Sequence, residues 1–276
     1  MATTQRRSNT RQCQRLVGGW GGKVYRHGGT VRRETGPWTP AVHALLQHLE
    51  SVGFAGAPRV LGVDRDGFEV LTFIDGQTCG GNAGWPGWGR ADENLVRIAN
   101  LLRRYHDAAE TFRPAPGALW RGGRRELQAG EIIGHNDISL ANLVADSHGR
   151  VHSLIDWDQA GPTTRRADLA YAAWQVVGLH APGHARHRGW TRRPDVARRL
   201  ATFLDAYGLA DRDGFVDDVC NRIARSVGEL ISEATRTGAS VADFVALLEG
   251  DIEFVRANRA TLEHAITADV RARLAA

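Results

Sequence analysis

Asp137, Asn142 and Asp156 carry the side-chain types that phosphoryl transfer requires. Moving a phosphoryl group from a nucleotide to a hydroxyl needs one carboxylate that orients the hydroxyl and accepts its proton. It also needs oxygen ligands that hold Mg²⁺ against the phosphates. In the run Gly134-His135-Asn136-Asp137-Ile138-Ser139-Leu140-Ala141-Asn142, Asp137 can take the first role. Asn142 and Asp156, the latter opening Asp156-Trp157-Asp158, can take the second. Mg²⁺ suits such a set, because it takes one or two protein oxygens and fills its remaining positions with phosphate and water.

The spacing brings the three together. Leu143-Val144-Ala145 and Arg150-Val151-His152-Ser153-Leu154-Ile155 read as two short strands around the turn Asp146-Ser147-His148-Gly149. A hairpin of that length returns the chain to its start. Asn142 leads in and Asp156 leaves, so both side chains reach one ion. A zinc hydrolase ranks far lower, since no histidine pair at helical ligand spacing stands beside a third candidate in the sequence.

The pattern His-x-Asp-x-x-x-x-Asn, a short hairpin and then Ile-Asp-Trp-Asp resembles the catalytic and metal-binding segments of the aminoglycoside phosphotransferase and choline kinase-like group, relatives of the protein kinases. The resemblance implies an α+β, two-lobed protein kinase-like fold with a small β-rich N-lobe and a larger, mostly helical C-lobe. It implies Asp137 as catalytic base, His135 as the brace of its loop, and Asn142 and Asp156 as Mg²⁺ ligands. Asp158 assists at the metal or holds the loop, and Asp168 matches a position that is usually structural. Many members of the group have Gly where Asn136 stands; His-Asn-Asp is closer to the choline kinase variant and touches loop geometry more than chemistry.

The N-terminal third supplies the remaining parts. Residues 1–14 read as a disordered tail, 15–76 as a nucleotide-binding N-lobe and 77–276 as a C-lobe for catalysis and acceptor binding. Gly18-Gly19-Trp20-Gly21-Gly22 lies between strand patterns, and glycines such as Gly19 and Gly21 let backbone amides approach phosphates. Tight hairpins use the same residues. Kinases of this type place a cation on the third strand to pair the phosphates. No Lys stands there, but Arg32 and Arg33 do, and Arg binds phosphate in a bidentate manner. Strand alternation separates Arg32 from Val31 and Arg33, and Arg32 is taken as the cation. The helix expected from Thr39, with Pro40 in its first turn, offers Val42 and His43 where a glutamate would normally hold that cation; Glu34 or Glu50 could compensate. Strands follow at 58–63 and 68–74, and the resemblance makes the backbone around Leu71 and Phe73 the adenine-binding hinge.

Residues 77–91, rich in Gly and Trp, read as a loop over the cleft entrance, and Asp92–Ala108 as a helix in which His106 is packed rather than catalytic. Helices are expected at 168–177, 194–207, 212–236 and 241–273. Acidic candidates for holding a cationic acceptor are Glu229, Glu233, Asp251 and Glu253; Trp174, His180 and Trp190 could stack on a ring.

Composition agrees with a cytoplasmic enzyme. Three widely separated cysteines, Cys13, Cys79 and Cys220, show no zinc-type spacing, and no apolar run is long enough to span a bilayer. The net charge is +4, with arginine pairs at 124–125, 165–166, 192–193 and 198–199. Scattered and without interleaved aromatics, they read as solvated helix faces rather than a nucleic-acid surface. The expected partners are a nucleoside triphosphate, ATP or GTP, with Mg²⁺, and a small-molecule acceptor; the protein is a monomer or homodimer. The expected activity is phosphorylation of a hydroxyl on an antibiotic, aminoglycoside-like, or related metabolite. A choline, homoserine or sugar kinase and a nucleotide-binding pseudokinase are the competing readings.

Overall fold

Alternating short strands with glycine turns at the N-terminal end form one antiparallel sheet. The computed structural model describes residues 13–16, 23–79 and 84–274. Strands β1 (Cys13–Arg15), β2 (Val24–His27), β3 (Thr30–Glu34), β4 (Val60–Val63) and β5 (Phe68–Thr72) lie in the order β1-β2-β3-β5-β4. Cys13 and Gln14, expected in the tail, are already paired with His27 and Arg26. Between β3 and β4 runs helix α1 (Thr39–Ser51), which buries Val42, Leu45, Leu46 and Leu49, spaced along a single helical face. Trp38 occupies the cap position, and the Thr39 hydroxyl accepts a hydrogen bond from the Gly36 amide at 2.9 Å.

The remaining chain is mostly helical. A short helix α2 (Gly87–Arg90) interrupts the expected 77–91 loop, and α3 (Asp92–Ala109) follows. Small hairpins come next: β6 (Leu119–Trp120) with β7 (Gly123–Arg124), then β8 (Ile132–Gly134), β9 (Leu143–Ala145), β10 (Val151–Leu154) and β11 (Gly161–Thr163). β9 pairs with β10, as the sequence implied, and β8 with β11. Helices α4 (Arg165–Ala173), α5 (Pro182–His187), α6 (Val196–Tyr207), α7 (Phe215–Thr237), α8 (Ala242–Ala257) and α9 (Arg259–Leu274) complete the order. The helix expected over 241–273 is two, broken at Asn258. The expected two-lobed α+β organisation is present.

The core is continuous from α1 through α3, which contributes Leu95, Ile98, Leu101, Leu102 and Tyr105, to α6 with Leu200, Phe203 and Leu204. Two of the four arginine pairs tie elements together. Arg165 reaches Asp107 at 2.6 Å and Glu110 at 2.9 Å, Arg166 binds Asp218, and Arg198 and Arg199 both bind Asp92. Among the described residues no helix is long and apolar enough to cross a membrane.

One buried polar knot joins α4, α5 and α8. Asp251, fully buried, accepts hydrogen bonds from Trp174 Nε1 at 2.9 Å, His180 Nδ1 at 3.0 Å, His184 Nδ1 at 2.7 Å and the Ala181 amide at 2.7 Å. Burial alone would raise the Asp251 carboxyl, but the hydrogen bonds from both histidines hold it well below the usual range. Burial pushes His180 down from 6.5 to about 4 despite Asp251. A histidine whose folded pKa is depressed favours folding above its unfolded pKa, and that contribution is lost as pH falls toward its folded pKa. Denaturant midpoints should therefore fall on acidification from pH 6.5 to 4, with a slope reaching about 1.4 kcal/mol per pH unit. His180→Asn, which keeps a donor to Asp251 without a titrating ring, should flatten that slope.

Candidate active site

The catalytic loop leaves β8 under a tight constraint. At Gly134 an added Cβ would collide with the Thr163 side chain and lie 3.0 Å from the Asp168 carboxylate. That carboxylate, fully buried at the start of α4, accepts the amides of His135 at 2.9 Å and Asn136 at 2.7 Å. It also meets His106 Nε2 at 3.1 Å, and His106 Nδ1 contacts the Tyr207 hydroxyl at 2.7 Å. Burial would raise Asp168, yet the hydrogen bond from His106 and the charges facing it keep its pKa lowered. Asn136 takes a left-handed conformation, φ 61°, which Asn tolerates better than most residues. Its side-chain Nδ2 donates to Gln159 O at 3.1 Å and Gly161 O at 3.2 Å, fixing the turn.

This turn delivers Asp137. Asn142 Nδ2 donates to Asp137 Oδ2 at 2.9 Å, and the Tyr171 hydroxyl donates to Oδ1 at 2.6 Å. Burial raises the Asp137 pKa, with Tyr171 and Asn142 opposing it. The outcome is a carboxylate of increased proton affinity, the direction a general base needs.

The hairpin closes as its spacing required. The Ile155 amide donates to Asn142 O at 2.9 Å, so Asp156 emerges beside Asn142. Asp156 is itself left-handed, φ 61°. His135 lies between the two segments: its Nε2 meets Ile155 O at 3.1 Å and its ring lies 4.7 Å from Trp157.

Of the two strand arginines, Arg33 and not the expected Arg32 reaches the catalytic segment. Arg32 points outward to Asp64 and Asp66 and lies over the Phe68 ring. Arg33 turns inward, binding Asp156 Oδ1 at 3.0 Å, Asp158 and Glu69. The alternation argument was sound but attached to the wrong face; apolar Val31 shares the face of Arg33 and marked it as the inner one. Glu69, on β5 directly across from Arg33, is 1% exposed and also meets His43 Nε2 at 2.8 Å. A strand glutamate thus holds the cation, and α1 contributes His43 to hold the glutamate. Neither Glu34 nor Glu50 does so: they face Lys23 and Arg59.

The oxygens of Asn142, Asp156 and Asp158 are hard donors that fit Mg²⁺. Among the described residues no hydrogen bond reaches Asn142 Oδ1, while its Nδ2 is fixed on Asp137, which orients the amide oxygen. Asp158 is held by Arg33 and by Arg121 at 3.4 Å.

Other expected residues fall elsewhere. Gly19 and Gly21 lie outside the described residues. Leu71 is buried between β3 and β4, and the Phe73 amide donates to Gly29 O at 2.8 Å while Arg26 covers its ring, 3.6 Å from the centroid. Of the acidic acceptor candidates, Asp251 is enclosed as described, Glu229 binds Arg225 at 2.8 Å and Glu233 binds Arg236 at 2.6 Å. His180 and His184 do stand at helical spacing with a third candidate, Asp251, which the sequence reading overlooked. Asp251 and both ring nitrogens of His184 are engaged in hydrogen bonds, including one from Arg188 Nε to His184 Nε2 at 3.2 Å, whereas the buried His180 Nε2 has no partner among the described residues.

The comparisons bear on this geometry. Residues 118–215, which span β6 to the start of α7 and include Asp137, Asn142 and Asp156, match the profile described as "Phosphotransferase enzyme family". Over 232 residues the chain is 38% identical to the trifolitoxin immunity protein of Rhizobium leguminosarum bv. trifolii, covering 82% of this chain and 86% of that one. The chain belongs to the phosphotransferase enzyme family. This phosphotransferase also has the protein kinase-like fold. A choline/ethanolamine kinase family protein from Mesorhizobium loti superposes with a TM-score of 0.58 at 19% identity, over 96% of this chain and 94% of that one. The GDP complex of aminoglycoside 2'-phosphotransferase-IIIa gives 0.59 at 14% identity, over 92% and 96%.

Removing the Asp168 carboxylate strands three buried donors. Asp168→Ala should lower unfolding free energy by at least about 3 kcal/mol in denaturant titrations, since each unsatisfied buried group costs ~1–3 kcal/mol.

Proposed function

We propose that this phosphotransferase moves the γ-phosphoryl group of ATP or GTP to a hydroxyl of an antibiotic or related small metabolite. The observation that carries the reading is the Asp137 carboxylate, made more basic by burial and fixed by Asn142, facing the Arg33–Asp156 pair. The acceptor oxygen attacks the γ-phosphorus as its proton passes to Asp137. The new O–P bond forms while the bond to the leaving diphosphate breaks. Arg33 lies where it can exchange its carboxylate partners for nucleotide phosphates, with Glu69 and His43 keeping its stem in place. Asn142 and Asp156 would hold Mg²⁺, which supplies positive charge at the phosphates when bound.

A hydroxyl acceptor is supported by the solved relatives, which include an aminoglycoside phosphotransferase and a choline/ethanolamine kinase family protein. The toxin-immunity name of the curated relative supports a role against a toxic compound. Free thiols at Cys79 and Cys220 fit a cytoplasmic setting. The pseudokinase reading loses its main support, because Arg33 and Glu69 supply the ion pair that the third-strand Lys and helix Glu would form.

Incubation with Mg²⁺, ATP or GTP and a panel of antibiotics, choline and sugars should release nucleoside diphosphate with one acceptor gaining the mass of one phosphate. Asp137→Asn should lower that turnover by about 10²–10⁴-fold, the weight of a general base, with nucleotide affinity retained; undiminished turnover would remove Asp137 as the base. Arg33→Gln should weaken nucleotide binding by about tenfold or more, measured by displacement of a fluorescent nucleotide, whereas Arg32→Gln should stay within about twofold.

A further inference from the structure

We propose that the acceptor side of this site holds an oxyanion subsite centred on Arg188, so that the phosphoryl acceptor is a hydroxyl compound carrying a carboxylate or phosphate. This rests on the kinase reading above and narrows it away from polycationic aminoglycosides.

Arg188 ends α5 and is partly buried. Other buried guanidinium groups in the molecule face carboxylates: Arg33 has Glu69, Asp156 and Asp158, Arg199 has Asp92, and Arg212 has Asp205. Among the described residues Arg188 forms no ion pair. Its contacts are the hydrogen bond from Nε to His184 and a position over the Trp85 ring, 5.9 Å from the centroid. Asp251 acts on it electrostatically, but both oxygens of that carboxylate are already held by four donors. Burial therefore prevails and pushes the Arg188 pKa down. A desolvated guanidinium without a counter-charge is costly, and its planar fork matches an oxyanion in two hydrogen bonds.

Its location joins it to the chemistry. The charges of Arg188 and Arg222 both act on the Tyr171 phenol, whose hydroxyl donates to Asp137. Arg222 lies over the Tyr171 ring, 4.4 Å from the centroid, and donates to Asn136 O at 3.1 Å. Arg188 also acts on Cys79, whose amide donates to Leu140 O of the catalytic loop at 3.3 Å. Nearby, Trp85 Nε1 and Trp190 Nε1 are buried donors with no acceptor, and the two rings are 6.2 Å apart. The acceptor side is thus rich in donors and positive charge, and of its acidic candidates Asp251, Glu229 and Glu233 are already paired.

Four small hydroxyl compounds differing in charge test this: glycerate, glycerol 2-phosphate, glycerol and the cation serinol. They are titrated into the full chain with and without saturating Mg²⁺ADP, following tryptophan fluorescence. Glycerate or glycerol 2-phosphate should saturate with a Kd of about 1–10 mM, at least about tenfold tighter than glycerol or serinol; whichever binds better identifies the oxyanion. Arg188→Gln should lose that preference, Arg188→Lys should retain part of it, and Arg32→Gln, on the outer face of β3, should leave it unchanged. Thermal melts of the Arg188 variants separate loss of the subsite from loss of fold. Absence of saturable anion binding, equal binding of serinol, or loss through Arg32 rather than Arg188 would overturn the proposal. Arg188-dependent anion binding in a protein that binds no nucleotide would instead overturn the kinase reading and leave the subsite standing.

Discussion

A single buried carboxylate fixes the geometry on which everything else depends. Asp168 takes the two successive amides that open the catalytic loop and, through His106 and Tyr207, ties that loop to α3 and α6. Backbone amides that point inward at a turn have no strand or helix partner, and away from water they must find an acceptor. Asp168 supplies it, and the same contact sets the direction in which Asp137 leaves the loop. Gly134, with no room for a side chain against Thr163 and Asp168, is the steric side of the same arrangement.

The second organising element is a chain of polar side-chain contacts running across the N-terminal sheet. His43 on α1, Glu69 on β5 and Arg33 on β3 form a line that ends on Asp156 and Asp158. The anchor for the cation comes from the neighbouring strand, so its position is set by strand register rather than by the placement of a helix. Cross-strand pairs of opposite charge are held by the ladder itself. Arg33 and Glu69 are therefore fixed relative to one another as firmly as β3 and β5 are.

Local spacing made much of the site legible. Asn142 and Asp156 were readable as partners because a hairpin of about a dozen residues must bring its ends together, and the Ile155–Asn142 hydrogen bond is that closure. Strand parity was harder, since Arg32 and Arg33 are chemically identical and only apolar Val31 reveals which faces inward. Glu69 was hidden for a different reason: its role depends on which strand becomes the neighbour of β3, a non-local fact. The His180–His184–Asp251 knot joins residues about 70 positions apart, beyond any spacing rule. The break at Asn258 between α8 and α9 escaped because no Pro or Gly marks it.

Tyr171 gives the free protein a property that its residue list does not announce. Its hydroxyl donates to Asp137 Oδ1, the oxygen that Asn142 does not bind, and its ring lies between Trp174 and Arg222. On the proposed chemistry, a water molecule must compete with a tethered donor that pays no translational entropy for its place. A bound acceptor, fixed by contacts of its own, can displace that donor where a stray water cannot. On that chemistry the phenol would act as a stopper, making nucleotide without acceptor a poor substrate for wasteful hydrolysis.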